Sequence, residues 1–226
     1  MTEPAAPDAA PDAAPAPAGV THPWPHVFDP GTDPSAPVLV LLHGTGGTEH
    51  DLLPLAAALA PGAGILSARG PVREHGLNRW FRRLSEGVFD TEDVITRAGE
   101  LAGFLDWARE HYRLGGRDLV AVGFSNGANI ALATALLHPG VLSRAAAFSG
   151  MYPLDGRTLD TDLTGTSIAL FNGAADPMAP QDSVERLAAV LQSRGAHVER
   201  TTHPGGHGLN PEDIPRAALW IAGGQP

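Results

Sequence analysis

The chain has 226 residues, 43% hydrophobic and 18% charged, which favours one large soluble α/β domain over two and supplies enough apolar material for a sizeable core. Its 15 basic residues, all Arg, face 25 acidic ones for a net charge of −10, so nucleic acid is not an expected partner. With no Cys, disulfides, thiolate metal sites and a cysteine nucleophile are excluded; no apolar run approaches the ~20 residues that span a bilayer, and no membrane insertion is expected.

Residues 1–20 form an Ala/Pro-rich stretch that carries Glu3, Asp8 and Asp12. Proline at this density cannot propagate a helix and leaves little to bury, so a disordered tail is expected, followed by a single domain over 21–226. The stretch has neither a basic n-region nor an apolar h-region, and a cytoplasmic protein is the corresponding expectation.

Past the tail, short apolar runs alternate with amphipathic stretches. Val38–Leu42, bounded by Pro37 and His43-Gly44, suits a strand buried on both faces, and residues 64–67 form a shorter candidate. From Asp93 to Tyr112, Val94, Ile95, Ala98, Leu101, Phe104, Leu105 and Ala108 recur at spacings of three and four. That pattern predicts an amphipathic helix with Thr91 or Asp90 as N-cap. Leu119–Phe124 reads as a strand leading into a helix over 129–137. Residues 145–149 and 168–171 read as strands, 181–194 as a helix, 197–201 as a last strand and 211–221 as a closing helix. Such alternation predicts a mostly parallel sheet covered by helices on both faces.

Gly123-Phe124-Ser125-Asn126-Gly127 matches G-x-S-x-G between an apolar strand and a helical stretch. That chemistry needs a sharp turn lifting the Ser125 hydroxyl off the sheet edge, and glycines remove the Cβ atoms that would clash there. A hydroxyl attacks only when a base removes its proton and a third group orients the base. Asp176 lies in a loop just after a strand, and His207 lies between the last strand and the last helix; both follow Ser125 in the required order. Asp155, Asp160 and Asp162 read as solvated loop carboxylates. His203 is the alternative base, but glycine on both sides of His207 suits a loop that presents a side chain into a cleft, and His203 is read as ending the strand. A metal pair of the two histidines is disfavoured by the intervening Gly205-Gly206. The oxyanion needs two donors: the Asn126 amide and, from the loop Leu42-His43-Gly44-Thr45-Gly46-Gly47, the Thr45 amide, with Gly46 next. His43 is read as a structural loop residue.

The segments LLHGTGGTEHDLLPLA, ARGPV, GFSNGANIA, FNGAADPMAP and HPGGHGL together resemble the phospholipase/carboxylesterase branch of the α/β-hydrolases, from about Pro37 to Ile221. The resemblance implies an α/β-hydrolase fold and a serine hydrolase acting on an acyl ester or thioester. Ser125 would be nucleophile, Asp176 acid and His207 base, with Thr45 and Asn126 forming the oxyanion hole. Many relatives carry Gln after the nucleophile where this chain has Asn126, and dienelactone hydrolases use Cys where it has Ser125.

Residues 69–90 sit where this family places its substrate pocket, and Trp80 and Phe81 are candidates to line it. Arg79, Arg82 and Arg83 are read as a solvated face in preference to a site for an acidic substrate. No segment is long enough for a large cap domain. The expectation is therefore a serine carboxylesterase, independent of metal or cofactor, that cleaves small or extended accessible esters and acts as monomer or homodimer. A thioesterase or acyl transferase with the same residues is the alternative, and a non-catalytic binding protein of this fold a more distant one.

Overall fold

The computed structural model describes residues 24–85 and 87–223; the expected tail over 1–20 lies outside them. In chain order, the strands are β1 (His26–Asp29), β2 (Val38–Leu42), β3 (Gly64–Ala68), β4 (Val72–Glu74), β5 (Leu77–Arg79), β6 (Arg83–Ser85), β7 (Val88–Phe89), β8 (Leu119–Phe124), β9 (Arg144–Phe148), β10 (Ser167–Gly173) and β11 (His197–His203). The helices are α1 (Leu53–Leu59), α2 (Thr91–His111), α3 (Asn126–Leu137), α4 (Gln181–Ser193) and α5 (Asp213–Ile221).

Alternate residues of the central strands feed two separate cores, because successive side chains of a strand point to opposite faces. Val38, Val40 and Leu42 join one core with Leu119, Ala121, Ala145, Ala147, Ile168 and Leu170, covered by α2, α3 and α4. Leu39 and Leu41 join the other with Val120, Val122, Phe148 and Phe171, covered by α1 and α5. This two-faced burial is why the strands read as continuous apolar runs. The sheet has the order β1-β3-β2-β8-β9-β10-β11; β1 runs antiparallel to β3 and every other pairing is parallel.

The order reverses between β2 and β8. Such a switch point opens a crevice beyond the carboxyl ends of the strands, where ligands of open α/β sheets bind. The loops after β2 and β8 both start there.

Asp90 caps α2, its side chain accepting from the Asp93 N–H, and Glu92 and Asp93 in the first turn complement the helix dipole. The helix expected from residue 129 begins at Asn126, since the turn at Ser125 passes straight into it. The closing helix starts at Asp213, two residues after Pro211.

The two ends of the described chain lie at opposite ends of the strands. His26 pairs with Ala68 at the carboxyl end of β3. Arg144, at the start of β9, donates to the carbonyls of Trp220 and Ile221 where α5 ends. Among the described residues, no helix is long and apolar enough to cross a membrane.

Candidate active site

Ser125 sits at the carboxyl end of β8 with φ 52° and ψ −115°, a left-handed backbone that few non-glycine residues adopt. Its N–H donates to the Phe148 carbonyl at 2.9 Å, which pins the turn to β9. A Cβ on Gly127 would overlap the Leu42 carbonyl, so only glycine lets the start of α3 press against the end of β2.

The Ser125 hydroxyl lies 2.8 Å from His207 Nε2, and His207 Nδ1 lies 2.8 Å from Asp176 Oδ2. A carboxylate only accepts, so Nδ1 carries the proton in the neutral ring and Nε2 faces the hydroxyl as acceptor. The Asp176 side chain is fully buried; its other oxygen accepts from the N–H groups of Met178 and Ala179 at 2.8 and 3.2 Å. These bonds fix the carboxylate in the β10–α4 loop. The loop bearing His207 reaches it because residue 173 is glycine, where a Cβ would strike the carbonyls of Gly205 and Gly206. His203 ends β11 and lies elsewhere: its Nδ1 accepts from the Gly205 N–H at 3.1 Å and its Nε2 stands 3.8 Å from buried Asp213. Burial raises the Asp213 carboxyl above its usual range.

In the loop after β2, the Gly46 N–H donates to the Asn78 carbonyl at 2.8 Å, whereas the Thr45 N–H has no partner among the described residues. Asn126 opens α3, where the first amides have no preceding turn to bond. Thr45 and Asn126 both line a small cleft of about 90 Å³ together with Ser125 and His207. A larger apolar groove of about 890 Å³ lies between α1 and α5, but no titratable side chain lines it.

The phospholipase/carboxylesterase family model matches residues 26–222. The chain belongs to that family. It is 40% identical to the putative hydrolase MhqD of Bacillus subtilis over 86% of this chain and 96% of that protein. The crystal structure of the Bacillus cereus carboxylesterase is 41% identical, with a TM-score of 0.85 over 89% of this chain and 95% of that one. A carboxylesterase structure from Mesorhizobium loti is 32% identical, with a TM-score of 0.81 over 88% and 95% of the two chains. The protein is a carboxylic ester hydrolase with an α/β-hydrolase fold and no large cap.

Within this carboxylesterase, the 69–90 segment does line the cleft, but through other residues than those read from sequence. Trp80 and Phe81 are fully buried in the core and do not line the cleft; Trp80 is held by its Nε1–H donating to the His43 carbonyl at 2.9 Å. Phe89 and Met178 supply the cleft's large apolar side chains instead. Of the three arginines, Arg82 pairs with Asp90 at 2.9 Å on the surface, but Arg79 is buried and lines the cleft with Arg83. Burial draws the Arg79 guanidinium below the usual arginine range. His43 is buried and outside the cleft. Its Nδ1–H donates to the Gly44 carbonyl at 2.6 Å and its Nε2 accepts from the Gly70 N–H at 3.0 Å, while burial pushes its pKa down.

Ser149 was not singled out by sequence. It lines the cleft with φ 52°, its N–H donating to the Phe171 carbonyl at 2.8 Å. A lone Ser-Gly after a strand carries no signal in a single sequence.

Proposed function

We propose that this esterase works through a serine acyl-enzyme mechanism, with Ser125 as nucleophile, His207 as general base and Asp176 as the group that orients it. The observation that carries the reading is the continuous hydrogen-bond chain from the Ser125 hydroxyl through both ring nitrogens of His207 to the buried Asp176 carboxylate. As Ser125 attacks the ester carbonyl, Nε2 takes the hydroxyl proton, and the Asp176 carboxylate stabilises the imidazolium that forms. The amides of Thr45 and Asn126 meet the oxyanion of the tetrahedral intermediate. His207 then returns its proton to the departing alcohol oxygen. In the second half, His207 takes a proton from water, the resulting hydroxide attacks the acyl carbon, and Ser125 leaves with its proton restored.

The small cleft and the lack of a large cap favour small or extended accessible esters, acted on by the domain that begins near residue 21. The deciding experiment labels the protein with a fluorophosphonate and follows hydrolysis of p-nitrophenyl esters of increasing acyl length. Ser125→Ala should lose both label and turnover. Full turnover in that variant would end the reading.

A further inference from the structure

Two guanidinium groups share one carboxylate at the wall of the cleft. Glu74 Oε2 lies 3.4 Å from Arg79 Nε and 3.3 Å from Arg83 Nε, and both arginines line the cleft with Ser125. Apart from His207, the remaining lining side chains are neutral. One positive charge is therefore left over beside the nucleophile, in a protein whose net charge is −10.

The donors are also only partly used. Arg79 Nε donates to the Phe81 carbonyl at 3.2 Å and Nη1 to the Thr45 hydroxyl at 2.9 Å. Its Nη2 has no hydrogen bond among the described residues and is not buried, although the side chain as a whole is only 4% exposed. A guanidinium taken this far out of water is costly unless its charge and its N–H groups are matched. Glu74, divided between two arginines, supplies part of the match, and Arg79 lines the cleft with N–H groups left to donate. Arg83, with its side chain 35% exposed, stands at the same wall.

We propose that Arg79 and Arg83 form a subsite for a carboxylate carried on the ester, a few bonds from the scissile carbonyl. The planar guanidinium fork matches a carboxylate in both geometry and charge. The bond from Arg79 to the Thr45 hydroxyl ties this subsite to the loop read as an oxyanion donor, so anion and reacting carbonyl are neighbours. The proposal rests on the Ser125-centred reading above.

Two substrate pairs test it, each an acid-bearing ester with its neutral isostere: monomethyl succinate with methyl 4-methylpentanoate, and acetoxyacetate with isobutyl acetate. The first pair carries the carboxylate on the acyl side and the second on the alcohol side. Hydrolysis is followed by pH-stat for the wild type and Arg83→Gln, with Arg79→Lys as a second variant. The kcat/KM ratio of acid-bearing to neutral ester should fall about tenfold in Arg83→Gln for at least one pair. In the wild type the same ratio should fall as salt is raised, because the partly exposed Arg83 is screened. Ratios unmoved by either variant and by salt, with the neutral esters still hydrolysed, would overturn the subsite alone. Failure of the wild type to hydrolyse any of the four esters, together with no fluorophosphonate labelling, would overturn the Ser125 reading and the subsite with it.

Discussion

The Asn126 side-chain carbonyl accepts a hydrogen bond from the Trp80 backbone N–H at 2.7 Å, joining the turn that carries Ser125 to the 69–90 segment. Through its indole N–H, Trp80 also binds the loop after β2. Three stretches far apart in the chain thus meet at one tryptophan: the turn, the Thr45 loop and the segment that brings Arg79 and Arg83.

Asn126→Ala leaves the buried Trp80 N–H unpaired. A loss of about 1–3 kcal/mol in stability is expected from urea unfolding. The residue 126 amide is retained, so kcat should fall far less than in Ser125→Ala. An unchanged unfolding midpoint would mean that the bond contributes nothing to holding the segment.

Ser125→Ala should lower kcat at least ~10³-fold, and His207→Ala by a similar factor, because members of a proton-relay unit fail together. His203→Ala should cost much less, since its ring is engaged with Gly205 and Asp213 instead of Ser125. Steady-state kinetics on one p-nitrophenyl ester decides it: a greater loss in His203→Ala would reassign the base.

What sequence made legible, and what it did not, divides along physical lines. Val38–Leu42 and Leu119–Phe124 stand out because strands buried on both faces are unbroken apolar runs with sharp ends. The meeting of Ser125, Asp176 and His207 was legible because each lies in a loop near the carboxyl end of a strand, with glycine close by. β1 was not, being a four-residue edge strand with no alternation, nor was α1, whose seven residues carry Pro54 in the first turn. β4 to β7 have two or three residues each, too few for any period to show. The burial of Arg79 depends on Glu74, Phe81 and Thr45 meeting in space, so neighbouring Arg82 and Arg83 made it look like part of a solvated face.

His43 gives the fold an acid-sensitive element. Burial lowers its folded-state pKa below the ordinary value of 6.5, so the unfolded chain takes up the proton first as pH falls. Its contribution to stability is complete above about pH 6.5 and declines below it, until the folded-state pKa is passed. His43→Gln should flatten the dependence of unfolding free energy on pH just below 6.5, measured by urea titration at several pH values. Carboxylates such as Asp90 and Glu49, whose folded pKa values are lowered, lose their contribution at more acidic pH. An equal slope in wild type and variant would show that His43 does not titrate between the two states.

Gly173→Ala should displace the loop that holds His207, because the new methyl group collides with the Gly205 and Gly206 carbonyls. A shift of about 1 Å in a reacting group can cost ~10²-fold in rate, and a fall of that order in kcat is expected, with helical circular dichroism little changed. Wild-type turnover in Gly173→Ala would mean that the loop tolerates the methyl group without moving His207.

The opposite exits of the two chain ends bear on how the enzyme can be tethered. A support or fusion partner joined ahead of Trp24 starts at the carboxyl end of the strands, the same end as the cleft, so a bulky attachment there crowds substrate entry. One joined beyond Gly223 starts near the amino end of β9, at the end of the strands opposite the cleft, and leaves the cleft facing solution.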